Sequence, residues 1–445
     1  MTTKVNLPES WQRLRLKDCL DSLSSGARPT GGSEAGSGEV FSLGGEHIND
    51  QGGFDWSNPQ YVPWSFYESI REDAEVAVND ILINKDGAKT GKLAIVREGF
   101  PHEPCCINEH VFRLRADTEL ADPRFLFYSL LAHHGQTQIT RTIQGSAQGG
   151  INKTFAKQVY VYFPTQISEQ QCIADVLVLT DDAIAAAEAK LTAARRLKTA
   201  LMQQLFTRGI PGRHSRFRQT KIGEIPKGWE VERMSRILSE DIYNGISPLS
   251  RPEPPGRPIL NVSCISAGKC DPAYHTYVDI EDEPDPSLLS KPGDFYVLRG
   301  NGNRAYVATG GLLIKTPPEG SIFSDLLIKI PFAPEKTAEG FMPLLWQSQR
   351  FLHSLQSKAV SGSGLWKIGL REIRRHEFPL PPMEEQKEIV DLFRSCDQTI
   401  DACETEVECL HRLKRSLLQN LLTGHVRVRM EAHAAMEQMP LFSSR

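Results

Sequence analysis

No run of apolar residues in this chain approaches the roughly 18 needed to span a bilayer. The opening segment MTTKVNLPESWQ also lacks the apolar core of a signal peptide. A membrane location is therefore not expected, and a reducing cytoplasm is the expected setting. Cysteine use agrees. Nine cysteines, an odd number, are scattered along the chain; Cys105 and Cys106 are adjacent, Cys264 and Cys270 lie close in sequence, and no Cys-x-x-Cys pair occurs. That pattern offers neither a disulfide framework nor a zinc site. A strong excess of one charge is missing too, since the net charge is −4. The local balance is different. No acidic residue falls between Lys190 and Ile222, where Lys190, Arg195, Arg196, Lys198, Arg208, Arg213, Arg216, Arg218 and Lys221 stand. Such a stripe can neutralise phosphates whatever the chain total; a solvated helix face with a linker would look the same.

Complete catalytic motifs are also absent. Asn58-Pro-Gln-Tyr61 and Asp271-Pro-Ala-Tyr274 approximate the N/D-P-P-Y motif of amino-methyltransferases but lack its second proline. Gly87–Lys92, GAKTGK, approximates a phosphate-binding loop. It is one residue short, and Leu93 stands where a hydroxyl should meet magnesium. Asp181 with Glu188-x-Lys190 mimics a nuclease triad, but along a single helix these read as solvated charges. A non-catalytic chain is expected.

What is present is a repeat. Residues 169–207 align without a gap to residues 385–423, and fifteen of the thirty-nine positions are identical, including Asp181/Asp397, Arg196/Arg412 and Lys198/Lys414. Fainter echoes lie upstream: Pro8-Glu-Ser-Trp11 and Pro226-Lys-Gly-Trp229, DILINKDG from Asp80 and DFYVLRGNG from Asp294, Phe163-Pro164 and Phe378-Pro379. At 445 residues the chain has room for several cores. The period far exceeds that of a solenoid, so a whole unit has been duplicated in tandem.

Both aligned segments carry a heptad pattern. With Leu177 at position a, the a sites are Leu177, Ile184, Leu191, Lys198 and Leu205, and the d sites are Thr180, Ala187, Ala194 and Leu201. The second copy places Phe393, Ile400, Val407, Lys414 and Leu421 at a, and Cys396, Cys403, Leu410 and Leu417 at d. Sustained spacing of this kind predicts two long helices that pair as a coiled coil. A whole domain intervenes between them, so an antiparallel pairing with pseudo-two-fold symmetry is expected. The lysines at a are unusual in a seam and suggest register or partner contacts.

The expected architecture is α+β. Residues 1–165 and 211–380 form two tandem domains, residues 166–210 and 381–425 the long helices, and residues 426–445 a tail without assignment. Expected strands include Ile81–Asn84, Leu93–Val96, Phe295–Leu298, Tyr306–Ala308 and Leu326–Ile330; expected helices include Pro123–His133 and Ala338–Gln356. Two loop types recur in both halves. KDGAKTGK offers Lys85, Asp86, Lys89, Thr90 and Lys92, and its counterpart RGNGNR offers Arg299, Asn301, Asn303 and Arg304. GSAQGGINK offers Gln148, Asn152 and Lys153, and SGSGLWK offers Trp366 and Lys367. Glycines let backbone approach a surface, and the polar types read base edges and hold phosphates.

On these residues the sequence resembles the specificity subunits of type I restriction-modification systems. The resemblance spans almost the whole chain. It rests on Phe163, Pro164, Glu169, Gln170 and Ile173 with Phe378, Pro379, Glu385, Gln386 and Ile389 entering the helices, on the P…W openings, on DILINKDGAKTGKLAIV, and on the helix ends LKTALMQQLFT and LKRSLLQNLLT. It implies that each domain reads half of a split target in double-stranded DNA. It also implies that the helices space the domains and dock two adenine-methyltransferase subunits, joined by motor-nuclease subunits. S-adenosylmethionine, ATP and magnesium would then bind those partners and not this chain. The alternative is a coiled-coil adaptor that reads no DNA; it accounts for the helices and leaves the duplicated basic loops unexplained.

Overall fold

The computed structural model describes residues 8–145, 149–280, 282–362 and 364–428. The chain divides into two compact units, residues 1–188 with 405–445, and residues 189–404. The long helices run Ile167–Arg208 and Met383–Leu421, and each contributes one part to each unit.

The first unit contains a sheet ordered Leu20–Ser25, Val111–Ala116, Ile81–Asn84, Leu93–Ile95, antiparallel throughout. The central run Ile-Leu-Ile is apolar at every position because both faces are covered. Ile81 and Ile83 join the core under helix Pro123–Leu131, while Leu82 faces a second core. That second core lies against a sheet ordered Glu34–Ala35, Gln60–Val62, Val40–Leu43, Cys105–Ile107, whose last pairing is parallel.

The second unit repeats this plan. Its first sheet runs Tyr243–Asn244, Leu327–Lys329, Phe295–Leu298, Gly310–Leu313, and is extended by Lys269–Cys270 and Ile265–Ser266. Phe295 and Val297 face one core, Tyr296 and Leu298 another. Its second sheet runs Ser250–Arg251, Thr276–Val278, Arg257–Leu260, Ile322–Phe323, again closing on a parallel pair. Even the buried charge recurs. Asp80 accepts from Arg115 Nε at 2.8 Å and from the Ala77 amide; Asp294 meets Lys329 Nζ at 2.9 Å and accepts from the Lys291 amide. The α+β class and the duplication are thus features of the fold itself.

Three expected elements differ. Tyr306–Ala308 is not a strand: Arg304–Tyr306 forms one 3-10 turn capped by the Asn303 side chain, and Ala308 has φ of 63°, which no extended strand accommodates. The strand begins at Gly310. The helix expected over 338–356 is two helices, Phe341–Gln347 and Gln349–Gln356, because Ser348 adopts an extended conformation between them. Helix Pro123–Leu131 likewise stops at an extended Ala132, and a separate helix His133–Arg141 follows.

None of the seam positions is fully exposed. Leu177, Ile184, Leu205, Phe393 and Leu421 are buried, and Leu191, Lys198, Leu201, Ile400, Val407, Lys414 and Leu417 are half-buried. Within each unit the two helix segments pair antiparallel. In the first unit Lys414 Nζ lies 2.6 Å from Asp181, and His411 Nε2 lies 3.3 Å from Glu188. In the second, Lys198 Nζ lies 2.5 Å from Asp397, Arg195 lies 2.7 Å from Glu404, and Phe206 stacks on Phe393 at 5.8 Å. Each of the two seam lysines is thus paired with an aspartate of the other helix.

Both helix entrances use one device. Gln170 accepts from the Asp122 amide at 2.8 Å and donates to the carbonyls of Leu120 and Pro164. Gln386 accepts from the Ala338 amide at 2.9 Å and donates to those of Lys336 and Pro381. A buried carboxamide satisfied on both ends fixes where the helix leaves its domain. The preceding glutamates hold the chain beyond the opposite helix. Glu385 takes His214 Nε2 at 2.8 Å and Trp229 Nε1 at 2.9 Å, and Glu169 takes Arg427 at 2.6 Å. Arg427 and Val428, expected to belong to an unassigned tail, are thus part of the first unit's fold; the chain from residue 429 lies outside the described residues.

Two expectations follow. Asp181 gathers three donors, Lys414, Arg97 at 2.9 Å and Tyr128 at 2.7 Å, and is 18% exposed, whereas its repeat counterpart Asp397 is 48% exposed. Asp181→Ala should cost about 2–3 kcal/mol by removing the acceptor shared by the buried Tyr128 hydroxyl and the half-buried Lys414 ammonium. Asp397→Ala should cost about 1 kcal/mol or less; equal losses in urea unfolding would contradict this difference. The second expectation concerns His376, whose Nδ1 accepts from Lys358 Nζ at 2.9 Å. Burial, reinforced by the Lys358 cation, pushes its pKa down to about 3. The unfolded value is near 6.5, so between those values the unfolded chain binds more protons. Stability is then complete above about pH 6.5 and declines as pH falls toward 3. Unfolding midpoints at about pH 7.5 and about pH 5.5 should converge in His376→Gln relative to the parent; an unchanged gap would refute the assignment.

Candidate nucleic-acid interface

The two recurring loops meet in each unit, and the same backbone bonds join them. In the first unit the hairpin loop starts at Lys85, whose amide donates to His110 O at 2.9 Å and whose carbonyl accepts from the Ile151 amide at 2.7 Å. In the second the loop starts at Arg299, whose amide donates to Leu326 O at 2.8 Å and whose carbonyl accepts from the Ile368 amide at 2.9 Å. A cation thus occupies the point where hairpin loop, second loop and a neighbouring turn converge. The second unit adds a small sheet, with Gly300–Asn301 and Val360–Gly362 flanking Leu365–Lys367.

Many of the expected readers are engaged within the protein. Lys85 Nζ donates to Ser25 Oγ at 3.3 Å, and Asp86 lies 2.7 Å from His110 Nδ1. Lys89 donates to the carbonyls of Glu46 and Ile48. Lys92 pairs with Asp50. The Thr90 hydroxyl lies 2.7 Å from Gly87 O and 2.8 Å from Gly149 O, tying the two loops together. Asn152 holds the turn before helix Phe155–Gln158 through the Thr154 amide. Asn301 and Asn303 cap successive turns through the amides of Asn303 and Ala305. Arg299 leans on Asp325 at 4.0 Å, and Arg304 lies 4.9 Å above the Trp366 ring. Lys153 and Lys367 are exposed. Gln148 lies outside the described residues.

Sequence reading missed part of the cluster. Each convergence point also receives a third segment, entered through Gly26 or Gly245. A Cβ at Gly26 would sit 1.8 Å from Ile107 O, and one at Gly245 would sit 1.8 Å from Phe323 O, so neither position admits a side chain. Glu109 and Asp325 occupy equivalent places in the turn. Glu109 lies 3.8 Å from Arg28 and 3.3 Å from His110. The Asp325 amide donates to Ile246 O at 2.8 Å. The signal in the sequence was a glycine following each unit's first-sheet edge strand, in SSG and YNG, which is too short to notice without the fold.

The approximate catalytic motifs serve other ends. Gly87–Lys92 joins two antiparallel strands instead of opening a helix, and its lysines are bound by carbonyls and Asp50. Asp181 and Glu188 are held by Lys414 and His411. Asp271 caps the turn Pro272–Tyr274 and pairs with Lys315. Among the described residues there is no cluster of three His, Cys, Asp or Glu side chains able to hold a metal, and no helix long and apolar enough to cross a membrane.

Comparison with known proteins follows the same lines. The chain is 24% identical over 433 residues to the type I restriction enzyme MjaVIII specificity subunit of Methanocaldococcus jannaschii, covering 96% of this chain and 95% of that one. It is 24% identical over 417 residues to the type I restriction enzyme EcoKI specificity subunit of Escherichia coli, covering 88% and 83%. The crystal structure of a type I restriction-modification system S subunit from M. genitalium shares the fold, with a TM-score of 0.54 at 14% identity over 95% of this chain and 98% of that one. The family model for the type I restriction modification DNA specificity domain matches residues 8–194 and 320–410. One match thus falls on each half of the duplication, and the chain belongs to the type I restriction-modification DNA specificity family.

Proposed function

We propose that the chain is the non-catalytic, sequence-reading subunit of a cytoplasmic type I restriction-modification complex. Each unit reads one half of a bipartite target in double-stranded DNA. Partner subunits supply adenine methylation with S-adenosylmethionine, and motor-nuclease partners supply cleavage with ATP and magnesium. The observation that carries this reading is the repeated loop cluster. Its backbone bonds are the same in both units, from Lys85 and Arg299 to Ile151 and Ile368, while the side chains it displays differ. A framework held by backbone leaves side chains free to diverge, as two readers of different half-sites require. An adaptor would have no use for two such clusters.

The test is to produce the chain with its methyltransferase partner and map N6-methyladenine in cellular DNA. An asymmetric two-part motif is expected. Lys153→Ala should weaken one half-site and Lys367→Ala the other, each by about 1–3 kcal/mol if a base contact is lost. A purified complex that shows no preference for any duplex sequence would leave the adaptor reading standing.

A further inference from the structure

The segment behind Gly26 and Gly245 has no assigned role, yet it carries exposed residues in each unit. Both ends are fixed. At its start the glycine packs against the turn carrying Glu109 or Asp325. At its end Glu34–Ala35 pairs with Gln60–Tyr61, and Ser250–Arg251 pairs with Tyr277–Val278, as edge strands of the second sheets. Ser33 Oγ lies 2.9 Å from Gln60 Oε1, and Arg251 pairs with Asp279. Between these anchors run ARPTGGS in the first unit and ISPL in the second. The tips differ in chemistry. Arg28 is 61% exposed and 3.8 Å from Glu109, which in turn touches His110, the partner of Asp86. The second unit instead presents Leu249, 96% exposed, beside Pro248.

We infer that this third loop is a specificity determinant, with Arg28 reading a base in one half-site and Leu249 contacting a base in the other. The inference rests on the DNA-reading function proposed above. Glu109 lies 3.8 Å from the Arg28 guanidinium, whose planar fork suits the paired acceptors of a guanine edge. Leu249 carries no donor or acceptor, so it discriminates by apolar contact with a thymine methyl or by wedging at a base step. A tip with nearly all of its apolar side chain in solvent, on a loop pinned at both ends, reaches a partner without paying much ordering entropy.

The experiment uses the full chain with its methyltransferase partner and compares methylated motifs of the parent, Arg28→Ala, Arg28→Lys and Leu249→Ala. Thermal midpoints of the purified complexes verify folding. Arg28→Ala should relax one base position in one half of the motif, with roughly five- to hundredfold lost discrimination there. Arg28→Lys, which cannot fork, should relax the same position. Leu249→Ala should relax a position in the other half only. A parent complex without a two-part motif would defeat the underlying function. A two-part motif that all three variants retain unchanged would overturn the third-loop inference alone. So would folded variants that bind every sequence uniformly more weakly with a reduced salt slope, which marks a phosphate contact.

Discussion

A lysine and an aspartate seventeen residues apart on one helix cannot reach each other, yet both long helices carry such a pair at matching positions, Asp181 with Lys198 and Asp397 with Lys414. Each lysine meets the aspartate of the other copy, which runs in the opposite direction. Lys414 meets Asp181 in the first unit, and Lys198 meets Asp397 in the second. A parallel pairing in register would set Lys198 against Lys414 and Asp181 against Asp397, so like charges would face each other. The same reciprocity governs Glu188 with His411 and Arg195 with Glu404. Direction and register are therefore written into the helices by charge, while burial of Leu177, Leu205, Phe393 and Leu421 supplies the attraction. Exposed pairs contribute little energy individually; their value is in penalising wrong alignments.

The helix ends are fixed by contacts of their own. Gln170 and Gln386 can cap the loops at Asp122 and Ala338 only if each helix enters its domain at a fixed rotation. Glu169 and Glu385 then receive the chain that leaves the opposite helix, through Arg427 and His214. The two units solve this last step differently. Trp229 donates to Glu385, whereas the buried Trp11 indole nitrogen finds no partner among the described residues and Glu169 is committed to the Arg427 fork. One copy has substituted a charge-assisted pair for an indole contact at the same junction.

How much of this was legible in the sequence follows from how each part is held. The helices were legible because fifteen of thirty-nine positions are identical between the two copies and both carry a heptad pattern. The hairpin loops were legible because glycine and charge recur where DILIN and DFYVL end. The sheets were less so. Their strands span two to six residues and pair across long separations, as Phe41 does with Cys105 and Ile259 with Ile322. Burial on both faces erases the alternation that marks a strand. Ala308 and Ser348 show the remaining gap: a single residue's backbone conformation ended an element whose apolar pattern continued.

The loop clusters combine two requirements that conflict in most sites. A reader must be rigid to discriminate, since ordering a flexible loop on binding consumes affinity. On the function proposed above, a duplicated reader must also tolerate change, or both halves would read the same sequence. The structure separates these demands by atom type. Rigidity comes from backbone bonds at Lys85, Ile151, Arg299 and Ile368 and from glycines that exclude any Cβ. Side chains that brace the loops turn inward: Thr90 to Gly149, Asn303 to Ala305, Lys89 to the carbonyls of Glu46 and Ile48. Replacing an outward side chain such as Lys153, Lys367 or Leu249 therefore removes no bond that shapes the loop among the described residues. Replacing Asn303 or Thr90 alters its shape and every contact it makes. By this division, divergence between the units can accumulate at the outward positions without loss of the fold that presents them.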